Sequence, residues 1–315
     1  MPGRSEKYTV VLLAGGNRRF SFREFLRQLE DFFYYHELYF KIGFKALKRF
    51  RKKSGGTPVV KHLFEFPLGA LQDCDRIGRI IIVGPKKEIL DKAGTRLFSD
   101  YPKAELIDQG GSFGENVMRG YRAAGKRHVL FAACDTPYVT SEAYCEFLDI
   151  CESDGLKKDE YGAVVGRNRL GPYEGVLRRP YLKILPKGIL PADYFKISEY
   201  TFRKGREGIR LANMALLDLQ GFTTETVDTV YRLRKPVSKS VRQRIKKIVG
   251  RKMFRQYHRG ITSERIMQIF HDFIRDMLGI DKSFQMVGLS SAAVTFDVDS
   301  RYDEKRLQEL DLPDE

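Results

Sequence analysis

Four short apolar runs punctuate the first half of the chain: Tyr8 to Ala14, Ile80 to Gly84, Val129 to Ala133 and Ala163 to Gly166, each bounded by glycine, proline or charged residues. Runs that are apolar at every position predict strands covered on both faces, as in a parallel sheet. Between them apolar residues recur at helical spacing. Val117, Tyr121 and Ala124 predict one helix, and Val60, Leu63, Phe64, Pro67 and Leu68 another. The first 165 residues therefore read as α/β units: a mostly parallel central sheet with helices on both faces, Rossmann-like. After them, Gly171 to Arg179 and Tyr200 to Leu217 read as strands and turns. Beyond Pro236, Thr262 or Ser263 caps an amphipathic helix carrying Ile266, Ile269, Phe270, Phe273, Ile274 and Met277, which ends before Gly279. Ala293 to Asp299 alternates and predicts a last strand, and Glu304 to Leu310 a last helix.

Composition adds enough apolar material for a full core: 42% of the 315 residues are hydrophobic and 31% charged. The longest apolar runs fall far short of the ~18–20 residues that cross a bilayer, which argues against a membrane span. The first residues lead into a strand without the apolar stretch of a secretory signal, so the expectation is a cytoplasmic protein. Cys74, Cys134, Cys145 and Cys151 form no C-x-x-C pair and read as reduced thiols in or near the core.

Charge changes the picture more. The net charge of +15 favours a polyanionic partner, and it is concentrated. Arg232 through Arg259 holds twelve basic residues and no acidic one, and Leu38 to Phe64 holds eight with no acidic one. The second stretch adjoins an aromatic segment with Phe20, Phe22, Phe25, Phe32, Phe33, Tyr34, Tyr35, Tyr39 and Phe40, a combination that suits a membrane interface as well as a core.

Three fragments carry candidate chemistry. The opening strand ends in Ala14-Gly15-Gly16-Asn17-Arg18-Arg19, where paired glycines let a backbone approach a nucleotide and arginines meet phosphates, or where the glycines serve only the turn. The third strand ends in Cys134-Asp135-Thr136-Pro137. A carboxylate there lies where open α/β sheets bind ligands and can hold a divalent cation, or it caps the next turn. Near the far end, strand alternation in Phe296-Asp297-Val298-Asp299 puts two carboxylates on one face, where they repel unless a cation separates them. His36, His62, His128, His258 and His271 have no partner at metal spacing, and no nucleophile signature is present.

In this order, together with Lys45-Ala46-Leu47 and Gly55-Gly56-Thr57-Pro58-Val59-Val60, the fragments resemble the nucleotidyltransferases of the glycosyltransferase-A-like fold, in particular the molybdenum cofactor guanylyltransferase-like group, over about residues 8–232 and 285–310. The resemblance implies a nucleotidyltransferase domain over 1–235 and 285–315, interrupted by an insertion at 20–44, with 236–284 a basic and amphipathic helical insertion. About twenty extra residues separate Arg19 from Lys45, where the family places an arginine and a lysine close together. The closing motif is also similar to that of CMP-sugar synthetases. Carried over, Asp135 and Asp299 hold Mg2+ with Asp297 as a third ligand. Lys45 and Arg18 or Arg19 offset charge on the leaving pyrophosphate, and Ala14, Gly15, Gly16 and Asn116 face the nucleotide. Asn213 resembles an acceptor-side Gly-Asn element with alanine in place of glycine. Asn116 could equally cap its helix.

The function implied is NMP transfer from an NTP to a phosphorylated acceptor, a sugar, polyol or lipid-precursor phosphate, with release of pyrophosphate. One rival is a glycosyltransferase of the same general fold, whose metal motif is usually a mid-chain Asp-x-Asp, whereas this chain offers the single Asp135. The other is a nucleic-acid-binding protein, resting on the basic tract alone. The tract and residues 20–53 together are expected to meet an anionic membrane surface as a peripheral contact at its inner face.

Overall fold

A computed structural model of the protein describes residues 7–16, 44–54, 57–94, 96–153, 161–169, 209–233, 268, 271–272, 275–276, 279–298 and 301–309. Seven strands form one sheet in the order β5-β4-β1-β6-β8-β7-β9: β1 Tyr8–Leu13, β4 Ile77–Gly84, β5 Ala104–Asp108, β6 His128–Ala133, β7 Tyr161–Arg169, β8 Ile209–Asp218 and β9 Ser283–Gly288. Six of them run the same way. Only β8 is reversed, pairing antiparallel with both β6 and β7.

Alternation along β1 explains its unbroken hydrophobicity. Val10 and Leu12 face a core layer with Leu68 and Leu71 of α1 (Glu65–Asp73), Ile89 of α2 (Lys86–Ala93), Leu97 of α3 (Arg96–Asp100) and Tyr144, Phe147 and Leu148 of α5 (Ser141–Ser153). Val11 faces the other layer, with Val117 and Met118 of α4 (Phe113–Ala124) and Val227 of α6 (Thr224–Leu233). Burying both faces against helices is what makes a parallel sheet stable, and the apolar runs satisfy it.

The four expected strand runs are all strands of this sheet. Elsewhere the local structure departs from expectation. Residues 57–62 form no helix: Thr57–His62 is β3, paired antiparallel with β2 (Arg49–Ser54) in a separate two-stranded sheet, and α1 starts only at Glu65. Val59 and Val60 belong to a β-branched stretch beside Thr57 and Pro58, where strand preference prevails over helical spacing. Ala293 to Val298, the described part of the expected last strand, is not a strand either. Ala292–Thr295 makes a 3-10 turn capped by the Ser291 Oγ, which accepts from the Ala293 N–H at 3.3 Å. Residues 293–298 are buried at every position, so this segment is a plug with no solvent face to alternate with. β9 was not foreseen. Gln268, His271, Asp272, Arg275 and Asp276 are helical, and Gly279, at φ 66°, takes the Arg275 carbonyl at 2.9 Å, as expected of a helix that stops there. The apolar residues of that helix lie outside the described residues, as do the basic tract 234–259 and the aromatic stretch 20–40.

The hairpin β2–β3 is held by a third apolar cluster, in which Phe50 and Leu63 meet Tyr138, Phe296, Val298 and Leu307 of α7 (Arg301–Glu309). The Tyr138 hydroxyl donates to the Leu307 carbonyl, and Lys48 pairs with Glu304. Cys74 and Cys145 are bonded to each other across α1 and α5, against the expectation of four reduced thiols, because the α1–α5 packing brings their Cα atoms to 6.0 Å. Cys134 and Cys151 are free and buried. Among the described residues no helix is long and apolar enough to cross a membrane.

Candidate active site

The strand order reverses direction at β1, with β4 on one side and β6 on the other, and at such a point a crevice opens at the carboxyl ends of the strands. Ala14, Gly15 and Gly16 follow β1 there, Gln109 and Gly110 follow β5, and Cys134 and Asp135 follow β6.

One carboxamide joins the first two loops and a second braces them. Gln109 clasps Gly16 from both sides: its Oε1 accepts from the Gly16 N–H at 2.9 Å, and its Nε2 donates to the Gly16 carbonyl at 3.1 Å. Asn116, on the first turn of α4 and buried, accepts from the Gly110 N–H at 2.6 Å. A Cβ on Gly15 would lie 2.5 Å from the Asn116 Nδ2 and 3.0 Å from the Gln109 Oε1, so only glycine fits between them. Asn116 does not cap its helix. Ser112 does, accepting from the Glu115 N–H at 3.0 Å. Sequence reasoning passed over Gln109, whose signal was its place between a strand end, Asp108, and the pair Gly110-Gly111.

The opposite wall is charged. Lys45 opens a 3-10 turn, Lys45–Leu47, whose buried Ala46 accepts from the Phe64 N–H, fixing the turn to the start of α1. Its ammonium forms an ion pair with Asp135 Oδ2. The other oxygen, Asp135 Oδ1, is buried and accepts no hydrogen bond among the described residues. The Asp135 main-chain carbonyl accepts from the Val298 N–H at 2.9 Å, so the buried Asp297 is carried by a segment bonded to the end of β6. Cys134 is no thiolate nucleophile. Burial, and then the neighbouring Asp135 charge, push its thiol up to about 12.

Asn213 sits on β8 one residue from Met214, which pairs with Ala132, and so at the crevice end of the sheet, half-buried. The structure thus brings Lys45, Asp135, the Asp297 segment and Asn213 to one end of the sheet, with Ala14, Gly15 and Gly16 on the loop after β1 and Asn116 on the first turn of α4. Arg18, Arg19 and Asp299 lie outside the described residues.

A mostly parallel sheet with helices on both faces places the protein in the α/β class, whose ligands bind at the strand ends where the order reverses. The family model for the MobA-like NTP transferase domain matches residues 9–187, more than half of the chain. The chain belongs to that family and is a nucleotidyltransferase. A solved structure shares the fold, and a second aligns with this chain over a similar length. A hypothetical transferase from Thermus thermophilus is 19% identical, with 95% of this chain and 99% of that one covered at a TM-score of 0.57. A 4-diphosphocytidyl-2C-methyl-D-erythritol synthase from Anaerococcus prevotii is 11% identical, with 96% and 95% covered at 0.49. No curated protein matches the sequence.

Proposed function

We propose that the enzyme transfers an NMP group from an NTP to the phosphate of a sugar, polyol or lipid precursor. An acceptor phosphate oxygen attacks the α-phosphorus, the bond from that phosphorus to the bridging oxygen breaks, and pyrophosphate leaves with the electron pair. The acceptor phosphate is already an anion at neutral pH, so positioning and electrostatics carry the catalysis. Among the described residues at this end of the sheet no nucleophile–base pair is present, and the reaction as written needs none.

The observation that carries this reading is the Asp135 carboxylate: one oxygen against Lys45, the other buried and unpartnered at a strand end. A buried carboxylate oxygen without a donor suits a cation. Asp135, Asp297 and Asp299 would hold Mg2+, which when bound supplies charge stabilisation for phosphate oxygens. Lys45, with Arg18 or Arg19, would set positive charge against the departing pyrophosphate. The Gln109 and Asn116 clasp would hold the Ala14–Gly16 loop against the nucleotide, and Asn213 would face the acceptor. The acceptor would be met at an anionic membrane surface, through the basic tract and residues 20–53, by a protein that is otherwise cytoplasmic. Incubation with each NTP in turn, Mg2+ and a panel of sugar, polyol and lipid-precursor phosphates tests the reading. Pyrophosphate release that needs both substrates supports it, and release with no acceptor dependence sinks it.

A further inference from the structure

Six of the eight basic residues between Leu38 and Phe64 lie on the Lys45 turn, at Lys48 and along β2, and these six fall into two groups once the hairpin is folded. Those directed toward the body of the protein are compensated: Lys45 pairs with Asp135, Lys48 pairs with Glu304, and Lys52 lies 5.1 Å from the centre of the Tyr138 ring. Those on the outer face are not. Arg49, Arg51 and Lys53 alternate along β2 on the face opposite the buried Phe50, all three exposed, and form no ion pair among the described residues. Their cross-strand neighbours on β3 are His62, Val60 and Pro58, none of them acidic. Glu65, at the base of the hairpin, is engaged by His62 instead.

Three cations about 7 Å apart on one strand repel one another unless something anionic faces them. In the middle of the row Val60, opposite Arg51, is 42% exposed. A flat cationic face with an aliphatic centre matches the chemistry of an anionic lipid surface, where cations meet headgroups and a small apolar side chain enters the interface. It matches nucleic acid poorly. The aromatic ring of β2 points inward, so the face offers a base no aromatic stacking platform.

We propose that the outer face of the β2–β3 hairpin, with Arg49, Arg51, Lys53 and Val60, docks on an anionic bilayer. The turn that opens the hairpin carries Lys45, so docking there brings the crevice beside the membrane. This rests on the membrane part of the function proposed above and gives it a defined face.

The full chain is sedimented with phosphatidylcholine vesicles, with and without 30% phosphatidylserine, at low and moderate salt. Three proteins are compared: wild type, the triple variant R49Q/R51Q/K53Q, and a charge-matched control, K86Q/K87Q/K92Q, on the exposed side of α2. Each basic residue at such a surface contributes roughly fivefold in partitioning, so the hairpin triple should bind about a hundredfold more weakly than wild type while the control changes only severalfold. Val60→Ser should weaken binding further without changing net charge. Equal losses in the two triples would overturn the proposal by assigning binding to net charge. So would binding to nucleic acid that the hairpin triple abolishes in a protein that leaves vesicles in the supernatant. Pyrophosphate release with a soluble acceptor and no vesicles separates the two readings. The hairpin triple should keep it, and its absence in wild type would count against the transferase reading alone.

Discussion

Two aspartates stand at opposite ends of the β6–β8 ladder and are treated in opposite ways. Asp218, beside His128 at the start of β6, is 1% exposed and fully engaged. Its Oδ2 meets Arg127 Nε and Lys282 Nζ, each at 2.9 Å, and its Oδ1 accepts from the Gln220 N–H at 3.0 Å and the Tyr121 hydroxyl at 3.4 Å. Burial alone would raise its pKa, but the bonds from Lys282, Gln220 and Arg127 hold it below the usual aspartate range. Asp135, past the other end of β6, keeps one oxygen against Lys45 and leaves the other buried without a donor among the described residues. A carboxylate that the fold satisfies completely ties elements together, here the α4–β6 turn, β8 and the approach to β9. One that the fold leaves half satisfied at a strand end is available to a ligand.

Substitution should separate the two roles. Asp135→Asn keeps the shape and removes the charge, so turnover should fall about a thousandfold, ~4 kcal/mol of transition-state stabilisation, with an unchanged or higher melting temperature. Parallel pyrophosphate and thermal-denaturation measurements read both effects. Loss of folding with retained specific activity would erase the contrast.

Asp218→Asn should do the reverse, costing about 3 kcal/mol of stability, the lower end for a broken buried pair because Arg127 is well exposed, with specific activity retained. A depressed folded-state pKa means that the stabilisation from Asp218 is complete above the unfolded value of ~3.9 and is lost as pH falls through the folded value. Urea titrations from pH 7 down to pH 3 should show the wild-type advantage over Asp218→Asn shrinking in that window, and a constant difference would contradict it.

Lys45→Ala should lower turnover about a hundredfold with a smaller change in NTP affinity, since its charge matters most as the leaving group gains charge. Lys48→Ala, which breaks the contact with Glu304, should move stability more than turnover. Equal losses of turnover at Lys45, Lys48 and Arg49 would assign the effect to a general basic field. Smallest of all, Gln109→Ala removes two hydrogen bonds to Gly16 and should raise the KM for NTP about tenfold with little change in kcat. A change in kcat alone would take Gln109 out of the nucleotide side.

The half of the fold around β1 was legible because two-sided burial leaves a plain mark, an apolar run ended by glycine or a charge, as in Val10 to Gly15 and Val129 to Asp135. The candidate residues stood out for the same reason: charged residues and glycines interrupt those runs. The hairpin was not, since Val60, Leu63 and Phe64 fit a helical period as well as a strand followed by a turn. Asp297 was read on a strand because alternation in 293–299 imitates one, while burial of every position from 293 to 298 became visible only with Phe50, Tyr138 and Leu307 packed around it. The bond between Cys74 and Cys145 depends on helix packing across 71 residues and has no local signature. Gln109 carries no charge, and although it stands between a strand end and the pair Gly110-Gly111, its grip on Gly16 across 93 residues appears only in three dimensions.

The central claim is that the α-phosphorus of an NTP is transferred at Asp135. The most direct measurement follows an NTP labelled at the α-phosphate, incubated with the enzyme, Mg2+ and the acceptor that gives pyrophosphate release. The account expects the label in the acceptor product, one per pyrophosphate formed, and its transfer abolished in Asp135→Asn while Asp218→Asn retains it. Label remaining in a nucleoside diphosphate or monophosphate while a terminal phosphate or a sugar moves instead, or transfer undiminished in Asp135→Asn, would contradict it.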